Sequence, residues 1–360
     1  MSRRRGRVDG LLVATALAIA GLGVLVVASA TRSNPGGATS YVVRQLVWVV
    51  LGTVAMALAM TLDLDRLRRL APVGYGLMLV GLVAVLSPLG ASANGAQAWF
   101  DLGPLRVQPA ELAKPLLIAV LAAHCARARG RFGGGQLIGA LLLSGPAVGL
   151  TLLQPDLGTA IVLVVVIAGV VVTAGASVRH LAVLALAGGL GIFGVLRAGV
   201  LEPYQVERLT GFLDQSSDPQ GATWNLRQAK IAIGSGGVTG AGLFAGSQTA
   251  LDYVPEAHTD FVFTVVAEEL GLLGGASLLG LFGLLAWRIW RAAARASSTF
   301  AALCCTGVLT MVGFQVFENV GMTMGLTPIT GIPLPLVSYG GSATVGCLAA
   351  LGLVANISRG

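Results

Sequence analysis

The chain has 360 residues, of which 55% are hydrophobic and only 11% charged, with a formal net charge of +7. Soluble domains carry roughly a quarter charged residues, so this composition excludes a soluble globular enzyme and indicates a polytopic membrane protein. The positive balance does not mark a nucleic-acid surface, because the arginines lie in short clusters beside apolar runs, as orientation signals do.

A membrane-crossing helix needs about 20 predominantly apolar residues. Runs of this kind recur at 10–30, 41–62, 70–89, 108–126, 136–153, 157–175, 180–198, 261–287, 300–325 and 335–357. The expected fold is therefore an all-α polytopic membrane protein. It forms a single domain over 1–360 with about ten spans and one large extracytoplasmic loop, 199–260, between spans seven and eight. The first run is too long for the apolar core of a cleaved signal and is read as a retained span. With the N-terminus inside, the cytoplasmic segments collect Arg3, Arg4, Arg5, Arg7, Arg66, Arg68, Arg69, Arg127, Arg129, Arg131, Arg179, Arg288, Arg291 and Arg295. The opposite loops hold mainly Arg32, Arg106, Arg208, Arg227 and Lys230. This bias puts both termini in the cytoplasm, and an odd number of spans would break it.

In chain order, the first candidate segment is the outer loop 90–107, where Trp99 and Phe100 suit a membrane interface. Glu111 and Lys114 follow on span four, three residues apart and so on one helix face. Charges inside a span are costly and usually face the bundle interior. The pair can lock two helices together, or its lysine can meet a diphosphate. Gln154-Pro155-Asp156-Leu157-Gly158-Thr159 joins spans five and six; Asp156 there reads as a helix cap or as a second acidic group that positions an acceptor or holds a cation.

The polar insert carries Glu202, Glu207, Arg208, Asp214, Asp218, Arg227 and Lys230, and a glycine-rich run from Gly234 to Gly242. Singly these charges read as ordinary loop residues; together Arg208, Arg227 and Lys230 can neutralise a diphosphate. The glycine run lacks the Gly-Lys-Ser/Thr ending of a nucleotide loop. At the end of the insert, Glu256, His258, Thr259 and Asp260 meet the start of span eight. A carboxylate at this boundary stays ionised while meeting a lipid-borne substrate, which suits a general base; the bland reading of Thr259-Asp260 is a helix cap. Glu268 and Glu269 lie about 12–14 Å deeper by helical rise and read as structural partners. Pro328, Pro333 and Pro335 forbid a regular helix across 326–335. The turn-formers that follow, beside Ser338 and Tyr339, read as a cavity wall. Cys125, Cys304, Cys305 and Cys347 fall in predicted spans, which argues against a disulfide scaffold. With only His124, His180 and His258, a zinc site is not expected. A divalent cation, Mg or Mn, is compatible with Asp260 or Asp156, and no cofactor is required by these residues alone.

Five ordered segments, Gly95–Trp99 with Gln108–Lys114, Gln154–Thr159, Lys230–Gly242, Pro255–Glu269 and Gly331–Ser342, together resemble the SEDS family (shape, elongation, division and sporulation), its elongation branch RodA more than its division branch FtsW. The resemblance implies a ten-span peptidoglycan glycosyltransferase that polymerises lipid II into a growing glycan strand. It would act at the outer face of the cytoplasmic membrane, alongside a class B penicillin-binding protein and the elongation machinery. It places the family's essential acidic residue on Asp260, its paired charges on Glu111 and Lys114, and its Gln-Pro-acidic motif on Gln154, Pro155 and Asp156. Binding or support roles extend to Arg208, Arg227, Lys230, His258, Thr259, Ser338 and Tyr339. Relatives often carry Arg before the loop tryptophan where this chain has Ala98. The competing expectations are a lipid II flippase, using Glu111, Lys114 and Glu318 as a polar path, and a scaffold without catalysis.

Overall fold

The computed structural model describes residues 8–33, 38–93, 96–103, 105–128, 132–197, 222–251 and 253–359. Arg208, the acidic residues of 202–218, and Arg3, Arg4, Arg5, Arg7, Arg129 and Arg131 lie outside the described residues.

The described residues form α1 (Gly10–Ala30), α2 (Ala38–Ala59), α3 (Leu64–Val85), β1 (Ala91–Ala93), β2 (Ala96–Leu102), β3 (Leu105–Val107), α4 (Pro109–Cys125), α5 (Gly134–Leu153), α6 (Leu157–Thr173) and α7 (Val178–Arg197). Beyond the undescribed stretch come α8 (Ala222–Ser235), α9 (Ser247–Ala250), α10 (Val262–Ala294), α11 (Thr299–Met324) and α12 (Gly341–Ile357). Seven of these helices are long and apolar enough to cross a membrane, and three shorter apolar helices accompany them. Together they correspond to the ten expected spans, and the chain is an integral membrane protein.

Side-chain caps set several boundaries. Asp9 accepts from the N–H of Leu12, Asp63 from Arg66 and Ser298 from Ala301, each satisfying a donor that the first helical turn leaves open. Asp63 starts the third helix six residues before the apolar run at 70. The last helix begins at Gly341 rather than 335. Pro333, Pro335 and Leu336, the last with a φ of 66°, hold the preceding chain out of helical geometry.

The expected loop 90–107 is a small antiparallel sheet of order β1-β2-β3, with Ser92 opposite Gln97 and Asp101 opposite Arg106. Ala98 on β2 is fully buried. Trp99 and Asp101 alternate with it and face a cavity that Ala98 does not line.

Helix α10 runs 33 residues and kinks at Gly271, which takes a φ of 66°. The glycine-rich run docks on this kink backbone to backbone: Ala241 and Gly242 donate to the carbonyls of Glu268 and Glu269, and Leu272 and Leu273 donate to Gly237 and Val238. A Cβ at Gly271 would overlap the Gly240 nitrogen and the Val238 carbonyl. The glycines therefore serve close packing, and the run is no phosphate loop.

Candidate active site

A cavity of about 750 Å³ opens where the chain enters α2, between the small sheet and the connections that precede α6, α10 and α12. Asp260, Asp156, Glu111, Glu256 and Asp101 line it together with Arg44, Arg106 and His258. Five carboxylates from three separate stretches of the chain, 101–111, 156 and 256–260, thus share one space with two arginines.

Asp260 is partly accessible to this cavity. The residue that caps α10 is Phe261, which makes no side-chain cap bond, and the Thr259 hydroxyl bonds Glu256 instead. The Thr259-Asp260 pair is therefore not the expected helix cap. Asp260 stands two residues ahead of the first helical residue, Val262, beside the partial positive charge of the helix N-terminus.

The backbone around it is held from three sides. The Glu256 carbonyl accepts from the N–H groups of Thr259, Asp260 and Phe261 at 3.1–3.2 Å. Asn319 donates through Nδ2 to the carbonyls of Asp260 and Ile332, both at 2.8 Å. Ser338 donates to the Thr259 carbonyl at 2.6 Å and accepts from Leu334 N–H at 2.8 Å. Tyr339 N–H bonds the His258 carbonyl at 2.8 Å. Glu256 and Leu336 both take positive φ, 55° and 66°, a conformation that costs roughly 1–3 kcal/mol for a non-glycine residue and persists only where surroundings enforce it. Tyr41 meets His258 and Tyr339 edge to face at the cavity wall, and His258 lies tilted against Tyr339, with centroids 5.2–5.7 Å apart.

Asp156 is at once helix cap and cavity residue: its Oδ1 accepts from Thr159 N–H at 2.9 Å and its Oδ2 from Gln108 Nε2 at 2.7 Å. Burial raises its carboxyl above the ordinary range, the Thr159 bonds oppose the rise, and the charges of Glu111 and Lys114 raise and lower it respectively. Gln154, by contrast, is fully buried and ties the α5–α6 turn to the Leu82 carbonyl.

Lys114 Nζ bonds both Glu111 oxygens, at 2.6 and 2.7 Å, within one helix. The pair therefore does not bridge two helices. Glu111 lines the cavity and Lys114, 2% exposed, does not, so its ammonium is spent on Glu111. Arg227 and Lys230 lie on α8, away from the cavity lining; the Lys230 ammonium packs over Gly325 at the C-terminus of α11. Among the described residues, the arginines that reach the cavity are Arg44, absent from the sequence expectation, and Arg106, read there only as an outer-loop charge. Arg106 pairs with Asp101 at 3.5 Å in an exposed contact. The signal that could have found Arg44 is the single charge near the start of an otherwise apolar span.

Glu268 and Glu269 are structural as expected. Glu268 accepts from Gln248 N–H, Thr249 N–H and the Thr249 hydroxyl, pinning α9, and Glu269 accepts from Ser29. Glu318 braces the 327–332 segment through Thr330 at 3.0 Å rather than lining a path through the bundle. All four cysteines are free and buried. Among the described residues no three His, Cys, Asp or Glu side chains stand close enough to hold a metal ion.

Fold and cavity define an integral membrane protein with a carboxylate-rich pocket at one end of its helix bundle. The family model described as cell cycle protein, covering FtsW, RodA and SpoVE, matches residues 9–360. The chain is 41% identical over 367 residues to a probable peptidoglycan glycosyltransferase FtsW of Alkalilimnicola ehrlichii, covering 98% of this chain and 89% of that one. It superposes on a chain from a structure described as the structural coordination of polymerization and crosslinking by a peptidoglycan synthase complex, with a TM-score of 0.83, 38% identity and 98% of both chains covered. The crystal structure of the rod shape determining protein RodA of Thermus thermophilus matches with a TM-score of 0.72 and 36% identity, covering 98% of this chain and 97% of that one. The chain belongs to the FtsW/RodA/SpoVE family, the SEDS proteins.

Proposed function

We propose that this peptidoglycan glycosyltransferase polymerises lipid II by inverting transfer, with Asp260 as general base. Asp260 Oδ takes the proton of the 4-hydroxyl on the acceptor's N-acetylglucosamine. The freed oxygen bonds to the anomeric carbon of the growing strand as its bond to the polyprenyl diphosphate breaks, and the electron pair departs with the diphosphate. The observation that carries this reading is the triple clamp on the 258–260 backbone, which holds a partly accessible carboxylate at the wall of a polar cavity. A positioned base is worth roughly 10²–10⁴-fold. Arg44 and Arg106 are placed to offset the leaving diphosphate's charge, with Asp156 and Gln108 positioning sugar hydroxyls. Lys114 acts through Glu111, and Arg227 and Lys230, on α8 away from the cavity lining, stand outside this chemistry. A divalent cation bound with the substrate's diphosphate is compatible with Asp260 or Asp156.

The cavity end faces outward and both termini face the cytoplasm of the inner membrane, in keeping with the arginine bias. A class B penicillin-binding protein is the crosslinking partner. Elongation rather than division is favoured by Asp101-Leu102-Gly103, Ala267-Glu268-Glu269 and Gly331–Tyr339, and depletion in a rod-shaped host should give round cells; long filaments would refute it. The chemistry is tested with purified protein, its partner and lipid II in detergent, where no sidedness exists and a flippase or scaffold makes no polymer. Asp260→Asn is expected to lose about 10²–10⁴-fold in polymer yield. Synthesis at the normal rate would remove Asp260 as the base.

A further inference from the structure

A second recess, of about 630 Å³, lies at the opposite end of the bundle, lined by Asp65, Arg68, Arg69, Pro72 and Arg127. Arg68 and Arg69 stand on the second turn of α3, and Arg127 stands on the short 3-10 turn that follows α4. All three are exposed. Among the described residues none of them pairs with a carboxylate, and the one bond of Arg69 goes to the Asp65 carbonyl. Three guanidinium groups thus share with one carboxylate a recess formed by the first turns of α3 and the turn that follows α4. Guanidinium forks match phosphate oxygens in pairs, which makes such a recess an anion site.

Two further features say how the anion is carried. From the recess, α3 continues with Leu70, Val73, Leu77 and Val80, each at least 60% exposed and spaced to form one stripe on a helix. That apolar stripe begins at the arginines, where acyl chains attached to a bound phosphate would lie. Pro72 has no N–H to give the carbonyl four residues before it, so the Arg68 carbonyl lacks its helical donor. A headgroup hydroxyl can supply one.

We propose that this recess binds the headgroup of an anionic glycerophospholipid, with the phosphate between Arg68, Arg69 and Arg127, a glycerol hydroxyl at the Arg68 carbonyl, and the chains along Leu70–Val80. An arginine near an anionic headgroup is worth about five-fold in binding, so the three together give on the order of 100-fold.

The test is native mass spectrometry of the full detergent-solubilised chain titrated with phosphatidylglycerol or phosphatidylcholine. The wild type is expected to retain phosphatidylglycerol selectively. Arg68→Gln/Arg69→Gln/Arg127→Gln should lower that retention on the order of 100-fold, while Arg291→Gln/Arg295→Gln, elsewhere on the surface, should leave it unchanged. Equal loss in both variants would mean diffuse charge attraction and overturn the site. Displacement of the lipid by millimolar inorganic phosphate would mean a soluble anion is the ligand and overturn the lipid assignment. Circular dichroism of the triple variant, expected to match the wild type, separates lost binding from lost folding.

Discussion

Replacing Lys114 by Met would leave the Glu111 carboxylate unpaired in the bundle, with both Nζ contacts of 2.6 and 2.7 Å gone and its side chain only 7% exposed. Breaking a buried ion pair from one side costs about 3–5 kcal/mol, because the survivor keeps its desolvation penalty without its partner. Removing both charges, in Glu111→Gln/Lys114→Met, takes the penalty away with the attraction, and the double variant should recover most of the loss. The resulting coupling is expected to reach roughly 3 kcal/mol, the upper end of what contacting residues show. Equilibrium unfolding in mixed micelles, followed by tryptophan fluorescence, measures all four corners of the cycle. A single-variant cost below about 1 kcal/mol, or a double variant no more stable than the single, would refute the pairing. Polymer synthesis supplies an independent check: Lys114→Met that folded with full stability yet made no polymer would put the ammonium on substrate rather than on Glu111.

Asn319→Ala strips one donor from two carbonyls, Asp260 and Ile332, for an expected cost of about 2–4 kcal/mol. Because Asn319 does not line the cavity, the kinetic loss should fall on kcat rather than KM; unchanged turnover would detach Asn319 from the positioning of Asp260. Gly271→Ala must hold alanine at a φ of 66° and against the backbone of Val238 and Gly240. It should destabilise by more than the roughly 1–3 kcal/mol of the dihedral alone, with faster proteolysis inside 236–246. For Asp156 the sign follows from its raised carboxyl. Below its ordinary pKa of 3.8 both folded and unfolded chains hold the proton, and above it the unfolded chain ionises first. The carboxyl therefore lowers stability as pH rises toward its folded value. Asp156→Asn, with Gln108 turning its carbonyl toward the new amide, should gain stability on the wild type as pH rises above 3.8; an advantage that does not grow with pH would contradict the assignment.

Much of this protein was legible in the amino-acid order. Ten apolar runs, Asp260 at a polar boundary and the three prolines before the last helix are local properties, set by bilayer thickness, desolvation of charge and the fixed φ of proline. Glu268 and Glu269 were legible as structural for the same reason, since their depth follows from helical rise. The misreadings concern partners. Glu111 and Lys114 were read as an ion pair locking two helices or as a lysine for a diphosphate; the pair forms, but within one helix, where Lys114 turns three residues back to Glu111. Thr259 and Asp260 were expected to cap a helix that begins two residues later, because the Glu256 carbonyl gathers the intervening N–H groups into a turn.

What the sequence alone determined is which segments must leave water and which charges must stay near it. Whether a charge faces the cavity, its neighbour or a helix end was decided only by packing. Arg44, Arg106 and Tyr41 share a cavity with Asp260, and Asn319 bonds its carbonyl, all from segments distant in the chain, and no periodicity in one segment reports what a distant one will place against it. The glycine run shows the same division: composition announced close backbone approach, and the kink at Gly271 decided that its partner is α10 rather than a ligand.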